Sequence, residues 1–286
     1  MKFLITGATG AFGTAFTRRL LTERDFAADR IALFSRGEFR QFLMHQELAP
    51  IDPDCMLRFF IGDVRDRDRL RRAMEGIDIV VHAAALKRIE VGHYNPVEMV
   101  KTNVDGAINV IEAAQDAGVK RVVALSSDKA FHPVSPYGFS KAMAESIFLA
   151  ANNTTGWNGP KFAVCRYGNV WRSTGSVVPT WEALIAKGAT EVPVTHPECT
   201  RFFMRMDEAV DLVLRAIASP NLNKVHIPRL PAYRLADLAD AMRVKMKITG
   251  LPAWEKMHEG MDFDNTSDRA RRMTMKELEE ALHEGT

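Results

Sequence analysis

The segment KFLITGATGAFG, residues 2–13, decides the fold. It opens with a short apolar run of the kind that forms a buried strand, and Gly7, Gly10 and Gly13 follow directly. Glycine lets a backbone approach a pyrophosphate closely because a Cβ would stand in the way, and the helix that starts here offers unpaired N–H groups to the anion. The alternative is a tight strand-to-helix turn without a ligand. The segment forms the first strand and helix of a repeated β/α pattern, and this position favours dinucleotide binding.

Short apolar runs recur along the chain and alternate with amphipathic segments such as 13–24 and 103–118. These runs cover residues 2–6, 30–34, 57–63, 78–84, 121–127 and 161–166. Runs that are apolar on both faces are typical of strands buried in a parallel sheet. Strict alternation of strand and helix implies right-handed βαβ crossovers. The sequence therefore predicts an α/β fold with a doubly wound, parallel, Rossmann-like sheet.

The alternation loosens after about residue 170. Helices are predicted at 176–188, 206–219, 234–245 and 274–285, and a short strand at 224–228. No internal repeat or low-complexity linker separates the two parts. We expect a cofactor-binding domain with the catalytic residues over 1–170, and a smaller substrate-binding lobe over 171–286 that can return segments to the main sheet.

Composition excludes several classes of protein. The chain has 286 residues, 47% hydrophobic and 26% charged, as in an ordinary soluble globular protein, and its formal charge of +2 is too small to indicate a nucleic-acid binder. Three widely spaced cysteines fit a reducing compartment and show no metal-ligand spacing. The N-terminal apolar run is too short for a signal peptide, and no run approaches the roughly 20 apolar residues of a membrane span. We expect a cytoplasmic protein without a metal, nucleic-acid or membrane partner.

The end of the second predicted strand bears on the choice of cofactor. An acid at this place would hold the ribose 2′-OH of NAD, but here stand Ser35 and Arg36, with Arg40 one helical turn further on. A guanidinium offers paired donors to a 2′-phosphate, so we predict NADP. NAD stays open, because Arg36 could be a plain surface residue.

Tyr137 and Lys141 stand four residues apart behind a helix start made by Ser135 and Pro136. They therefore share one helical face. The pKa of a free tyrosine is about 10, and a nearby ammonium and an oxidised nicotinamide both favour the phenolate. Tyr137 can then take a proton from a sugar hydroxyl. A half-buried tyrosine beside a snorkelling lysine is the alternative, and the preceding glycine turn favours catalysis.

Asp128 and Lys129 form an acid–lysine pair at the end of the fifth predicted strand. Reductases and epimerases have no use for a second acid–base pair there. Elimination of water needs both a base for a carbon-bound proton and an acid for the departing hydroxyl. A surface salt bridge is the alternative for a pair that stands alone.

At these residues the chain resembles a known family, the C5-inverting UDP-N-acetylglucosamine 4,6-dehydratases. They are extended short-chain dehydrogenase/reductases of bacterial surface-polysaccharide and flagellin-sugar pathways. The resemblance runs over most of the chain and includes LITGATGAFG, FSRGEFRQF, VVHAAALKRIEVGHYNPVEMVKTNVDGAINVI, ALSSDKAFHPVSPYGFSKAMAE, CRYGNV, TRFFM and EKMHE. Dehydratases that retain C5 configuration carry Asp-Glu at this strand end, so the lysine at 129 resembles the inverting type.

The resemblance implies roles for five catalytic residues. Tyr137 would deprotonate the C4 hydroxyl, with Lys141 holding the nicotinamide ribose and lowering the pKa of the tyrosine. Lys129 would remove the C5 proton, Asp128 would protonate the leaving C6 hydroxyl, and Ser127 would bond the C4 oxygen. With hydride returned to C6, the product would be a 4-keto-6-deoxy sugar nucleotide inverted at C5.

The resemblance also implies two sets of binding residues. The cofactor set is Gly7, Thr9, Gly10, Ala11, Phe12, Gly13, Ser35, Arg36, Arg40, Asp63, Val64, Ala83, Ala84, Ala85, Lys87, Asn103, Tyr137, Lys141, Tyr167, Asn169 and Val170. The substrate set is Lys87, Asn169, Ser176, Val177, Arg201 and Glu255, with Arg201 meeting the diphosphate.

Three positions in the substrate half depart from the family pattern. Leu251 and Thr174 stand where arginines are expected, and His196 replaces an acid. The nucleotide or sugar can therefore differ from UDP-N-acetylglucosamine. A nucleotide-sugar 4-epimerase, a reductase of the same family and a non-catalytic NADP-binding protein stay as alternatives. We also expect a closed homo-oligomer, as is usual for soluble enzymes.

Overall fold

The structure, a computed structural model, describes residues 1–23, 26–156 and 158–284. The strands of this part are β1 (Lys2–Thr6), β2 (Arg30–Ser35), β3 (Leu57–Ile61), β4 (Ile79–His82), β5 (Arg121–Leu125), β6 (Lys161–Cys165), β7 (Glu191–Val194), β8 (Thr200–Phe202), β9 (Val225–His226), β10 (Ala232–Arg234), β11 (Lys245–Ile248), β12 (Gly260–Asp262) and β13 (Asn265–Thr266).

The helices of the same part differ widely in length. They are α1 (Ala11–Thr22), α2 (Glu38–Leu48), α3 (Arg67–Ala73), α4 (Ile89–Tyr94), α5 (Pro96–Val100), α6 (Gly106–Asp116), α7 (Pro136–Thr154), α8 (Val177–Ala186), α9 (Met206–Ala218), α10 (Leu235–Ala241) and α11 (Met275–His283). Short 3-10 turns lie at Ala49–Ile51 and Asp128–Ala130, and a π turn at Lys101–Asp105 precedes α6.

Within the described residues, seven strands form one parallel sheet in the order β3-β2-β1-β4-β5-β6-β9. The strand order reverses between β1 and β4, where doubly wound sheets open a ligand crevice. The predicted α/β, Rossmann-like fold is confirmed. β3, β4 and β5 each end two residues before the predicted end, because there the chain leaves the sheet and turns into the cleft described below.

Apolar side chains alternate across the sheet, so both faces are buried. In β1, Phe3 and Ile5 join a core packed under α1, α2 and α9, while Leu4 joins a core under α3, α6 and α7. The same alternation runs through the neighbouring strands, as with Val123 and Val122 of β5. This two-sided burial fixes the strands and holds their carboxyl ends in a row.

A third apolar core brings together α8, β7, α10 and α11. β9, from the predicted lobe 171–286, pairs with β6 at the edge of the main sheet. The boundary at residue 170 stays a prediction.

The predicted helix 234–245 is too long. α10 ends at Ala241, because Arg243 adopts a φ of 54° and residues 245–248 pair in parallel with β7 as β11. Residues 24 and 285, the last of two other predicted helices, lie outside the described residues.

Helix length bears on the membrane prediction. α7, with 19 residues, is the longest helix of the described ranges, and it carries Lys141 and Glu145 among its buried residues. A membrane span takes about 20 apolar residues. In the part of the chain that the structure describes, no helix combines the necessary length and apolar character.

The core gives a testable stability difference between two phenylalanines. Phe16 of α1 is fully buried and contacts the rings of Phe3 and Phe12. Phe16→Ala should lower the free energy of unfolding in urea by about 3–5 kcal/mol, through lost burial and the cavity left behind. Phe39→Ala is the control: its side chain is 68% exposed on α2, so the change should stay within about 0.5 kcal/mol. Equal losses would contradict this packing.

Candidate active site

A cleft of about 1420 Å³ opens at the carboxyl ends of the parallel strands. Segments that follow β1, β2, β3, β4, β5 and β6 all contribute to its wall, as expected at the point where the strand order reverses. Every predicted site residue lines this cleft except Asn103 and Asp128, which lie behind its wall.

The glycine turn packs against the segment that follows β4. Gly7 has a φ of 67°, and a Cβ on it would lie 2.8 Å from the backbone of Ala84; a Cβ on Gly13 would lie 2.4 Å from the carbonyl oxygen of Ala8. The N-cap of α1 is Gly10, which supplies no side-chain cap, so the first N–H groups of the helix stay open. The turn therefore fits a dinucleotide pyrophosphate.

Two guanidiniums lie on the cleft wall after β2. Arg36 and Arg40 are exposed on the wall, and neither has a hydrogen-bonded partner in the described ranges. The Ser35 hydroxyl is buried and accepts a hydrogen bond from Gln41 Nε2 at 2.9 Å. It is thus engaged by the protein, whereas the two arginines are available to an anion.

Asp63 is held by a neighbour. Its carboxylate accepts hydrogen bonds from the backbone and guanidinium of Arg65 at 2.7–3.1 Å. Partial burial would raise the pKa of Asp63, but these bonds and the charge of Arg36 lower it below the ordinary value. Asp63 is therefore an anion fixed at the end of β3.

Asn103 acts on the cleft through the loop after β4. Its side chain accepts from the Leu86 N–H at 2.8 Å and donates to the Leu86 carbonyl at 2.9 Å and the Ser140 hydroxyl at 2.9 Å. Lys87, the next residue, projects into the cleft, where desolvation and the charge of Arg88 lower its pKa. The structure thus makes Asn103 a support for this loop.

α7 starts as the sequence predicts. Ser135 is the N-cap and accepts a hydrogen bond from the Gly138 N–H at 3.1 Å, and Pro136 is the first helical residue. Tyr137 and Lys141 lie on the face of the helix that lines the cleft.

The pKa of Tyr137 depends on its burial and on the charged groups around it. Lys141 Nζ donates to the Leu125 carbonyl at 2.6 Å, and burial lowers the pKa of Lys141 to about 8. Burial raises the pKa of Tyr137, while the charge of Lys129 and a hydrogen bond with Ser127 oppose that rise. Among the charges that act on the phenol, that of Lys129 opposes the rise in its pKa.

Lys129 stands in a cluster of acceptors. Its Nζ lies 3.2 Å from each of three oxygens: Asp128 Oδ1, Asn169 Oδ1 and Glu259 Oε1. Asp128 is fully buried, and its Oδ1 also accepts from the Ser127 hydroxyl at 2.9 Å. The amine itself reaches the cleft wall.

The charges of this cluster shift the pKa of both catalytic candidates. Burial alone would lower the pKa of Lys129, but Asp128 and Glu259 together raise it above the ordinary value. Burial raises the pKa of Asp128, Lys129 opposes the rise and Glu259 adds to it. An ammonium beside a carboxylate that readily accepts a proton is an arrangement for moving one proton between them.

Sequence reasoning missed Glu259 and Lys256, although both line the cleft. Lys256 Nζ donates to the carbonyls of Asp128 and Phe131 at 3.2 and 2.9 Å. The one signal in the sequence is their opposite charge at a spacing of three, in the segment EKMHE. Nothing local indicates that this segment packs against the turn after β5.

Arg201 lines the cleft but is engaged by the protein. It donates to the carbonyls of Thr200 and Met257 and forms an ion pair with Glu255. A diphosphate at this place would compete with Glu255 for the guanidinium.

The three departures from the family pattern take different places. Thr174 lines the cleft, whereas Leu251 and His196 do not. Arg172, two residues before Thr174, also lines the cleft, and its guanidinium bonds Glu182 and the Leu282 carbonyl.

The chain is similar to proteins that are already known. Residues 3–279 match the family described as polysaccharide biosynthesis protein. The chain belongs to this family. It is 44% identical over 262 residues to a Campylobacter jejuni family relative named UDP-N-acetylglucosamine 4,6-dehydratase (inverting), covering 91% of this chain and 77% of the relative. The resemblance stated from the sequence is confirmed.

One further relative and one solved structure are also similar to this chain. A Rickettsia canadensis protein named UDP-glucose 4-epimerase is 38% identical over 266 residues, which is 90% of this chain and 76% of the relative. The X-ray structure of Pen from Bacillus thuringiensis superposes with a TM-score of 0.92 at 31% identity, covering 99% of this chain and 97% of Pen.

The glycine turn can be tested by a matched pair of variants. Gly7→Ala should raise the dissociation constant for NADP by about tenfold or more, because the methyl group meets the Ala84 backbone. Gly76→Ala is the control: Gly76 has the same φ of 67°, but open space around its Cβ position, and NADP affinity should not change. Calorimetric titration measures both, with circular dichroism as the check of folding. Unchanged affinity in a folded Gly7→Ala protein would contradict the site.

Proposed function

We propose that the protein is a nucleotide-sugar 4,6-dehydratase that inverts C5, acting on UDP-N-acetylglucosamine or a related sugar nucleotide. The observation that carries this proposal is the Lys129 amine at the cleft wall, in contact with Asp128 and Asn169. The dehydratase relative at 44% identity supports it.

We propose NADP as the cofactor, in the glycine turn and against Arg36 and Arg40. Two unpartnered guanidiniums at the adenosine end suit a 2′-phosphate better than a bare ribose. When bound, the nicotinamide would accept hydride from C4 of the sugar and later return it to C6. The cleft residues then have only protons to move.

Tyr137 takes the proton of the C4 hydroxyl, with Ser127 bonded to the same oxygen. The C4 ketone that results makes the C5 hydrogen acidic. The Lys129 amine takes that proton, and the C5–H electron pair becomes a C5–C6 double bond. The C6–O bond breaks with its electron pair, and Asp128 supplies the proton that makes the leaving group water. With hydride returned to C6, Tyr137 gives the proton it took from the C4 hydroxyl to the face of C5 opposite Lys129, which inverts that carbon, and Lys129 passes its proton to Asp128.

The resting ion pair of Asp128 and Lys129 has the right number of protons for this step. Moving one proton from Nζ to Oδ1, across 3.2 Å, gives the neutral amine and neutral acid that elimination requires. Burial favours the neutral acid, whereas Asp128 and Glu259 favour the ammonium, so the ion pair is the resting state from which the proton moves. No proton needs to enter from solvent before the elimination.

On the substrate side we propose contacts from Lys87, Asn169, Ser176, Val177, Arg201 and Glu255. Ser176 is the N-cap of α8 but makes no side-chain cap bond, and its buried hydroxyl oxygen has no partner among the described residues. Open N–H groups and a free hydroxyl at a helix start suit a diphosphate.

We also propose a homo-oligomer. Apolar side chains on α5, α6 and α7 are exposed, among them Val97, Val100, Ile108, Phe139 and Met143. Single exposed apolar residues are ordinary, but neighbouring ones favour an interface. The cytoplasm stays the predicted compartment.

A 4-epimerase is the second candidate, favoured by the epimerase relative at 38% identity. It would use Tyr137 and Lys141 in the same way and leave Lys129 without a task. A mass spectrum after incubation with UDP-N-acetylglucosamine separates the two. A dehydratase yields a keto product lighter by one water, whereas an epimerase or an inactive NADP-binding protein leaves the mass unchanged.

Lys129→Met should slow the loss of water by about 10²–10⁴-fold, because no amine is left to take the C5 proton. Oxidation at C4 should persist. Reduced nicotinamide should then accumulate and be visible by its absorbance, because C6 cannot accept the hydride until water has been lost. Lys120→Met, at an exposed lysine paired with Asp78, is the control and should turn over normally. Normal turnover by the Lys129 variant would refute the role of the amine.

Arg36→Ala should raise the dissociation constant for NADP by about 10- to 100-fold, the value of a charge-assisted hydrogen bond to phosphate. Affinity for NAD should stay the same and serves as the internal control. Titration of the purified protein with each dinucleotide measures the ratio. An unchanged preference would remove the argument for NADP.

A further inference from the structure

Glu259 is a buried carboxylate to which the roles above give no task. Only 2% of its surface is exposed. Its Oε1 lies 3.2 Å from Lys129 Nζ and its Oε2 lies 2.8 Å from Lys256 Nζ. Its backbone N–H donates to the Ser267 hydroxyl at 2.8 Å, which fixes the chain just ahead of β12. A carboxylate buried this deeply is stable only when it is paired.

Lys256 fixes Glu259 to the same turn that carries Lys129. The Lys256 amine donates to the carbonyls of Asp128 and Phe131, and it pairs with Glu259. Lys256 thus has two carbonyl acceptors and one ion-pair partner, and it meets Glu259 by charge, because Glu259 Oε2 has no hydrogen-bond partner among the described residues. Glu259 is therefore held beside Lys129 by a second cation that takes no part in the cleft chemistry.

We propose that Glu259 is the counter-ion of Lys129 and a positioning residue for the elimination: it holds the amine between Asp128 and Asn169, and it stabilises the ammonium that forms when the amine takes the C5 proton. This inference rests on the proposed dehydratase function. It gives the buried carboxylate a task in one step only, the loss of water.

Charged and titratable groups from several elements face this pair. Arg201 of β8 and Lys256 add positive charge, Asp128 adds negative charge, and the phenols of Tyr137 and Tyr233 lie nearby. Burial would raise the pKa of Glu259, but Lys129, Arg201 and Lys256 lower it well below its ordinary range. Glu259 is therefore ionised at neutral pH while Lys129 carries its proton.

The charge of Glu259 has a definite effect on the pH dependence. Asp128 and Lys129 are competent when they share one proton, so activity falls when the pair takes up a second proton at low pH or loses its only one at high pH. A neighbouring negative charge favours the protonated form in both steps. Glu259 therefore raises the pH at which activity falls on the acid side and on the alkaline side. Its removal must lower both of these pH values.

The test is the pH profile of kcat for water loss, measured with NADP and UDP-N-acetylglucosamine. In Glu259→Gln the acid limb and the alkaline limb of this profile should both move to lower pH, by on the order of one pH unit. Glu259→Asp keeps the charge, so its limbs should stay in place while the rate falls. A role in folding alone would lower the rate at every pH without moving a limb. Glu112→Gln, at a surface glutamate paired with Arg67, should match the wild type.

A second variant moves the limbs in the opposite direction. Lys256→Met removes a positive charge that faces Asp128 and Glu259, so both limbs should move to higher pH. It keeps the proposal testable if Glu259→Gln does not fold.

Carbon-13 NMR of lysine-labelled protein without cofactor gives a reading that does not depend on turnover. The Lys129 signal, identified by its loss in Lys129→Met, should titrate at lower pH in Glu259→Gln. Unmoved limbs together with an unmoved Lys129 titration would overturn the proposal. If the wild type loses no water at all, the proposed function fails, and the NMR titration alone decides whether Glu259 is the counter-ion.

Discussion

The contact of the Lys129 ammonium with two buried carboxylates is the interaction on which this site depends. Asp128 comes from the turn after β5, and Glu259 comes from the segment ahead of β12. A buried charge is tolerated only with a partner, and removing one member of such a pair costs about 3–5 kcal/mol. The cluster thus ties the C-terminal segment to the edge of the sheet and keeps a protonatable amine at the cleft wall.

Ser127 links the two sets of chemical groups in the cleft. Its hydroxyl donates to Asp128 Oδ1 at 2.9 Å, and the same residue lowers the pKa of the Tyr137 phenol. A phenol and an acid–amine pair therefore stand side by side, as the proposed oxidation and elimination require. Oxidation at one carbon makes the hydrogen on the next carbon acidic, so the reaction needs both sets within the length of one sugar ring. A 4-epimerase would need only the first.

Local signals in the sequence were enough for the scaffold. The glycine turn after β1 and the Ser135–Pro136 start of α7 depend on residues a few positions apart, and both are confirmed. Non-local packing was not predictable in this way. Glu259 meets Lys129 across 130 positions of sequence, and α10 ends early because β11 pairs with β7. Asn103 supports the loop after β4 from behind for the same reason: its partner, Leu86, is brought to it by the fold.

A crystal structure with NADP and UDP-N-acetylglucosamine bound tests the central claim most directly. The account predicts that Lys129 Nζ lies about 3–3.5 Å from C5 of the hexose, a near-attack distance, while it still contacts Asp128 and Glu259. A Lys129 side chain turned to bulk solvent, or a hexose ring that lies away from it, would contradict the account and leave only a cofactor-binding scaffold.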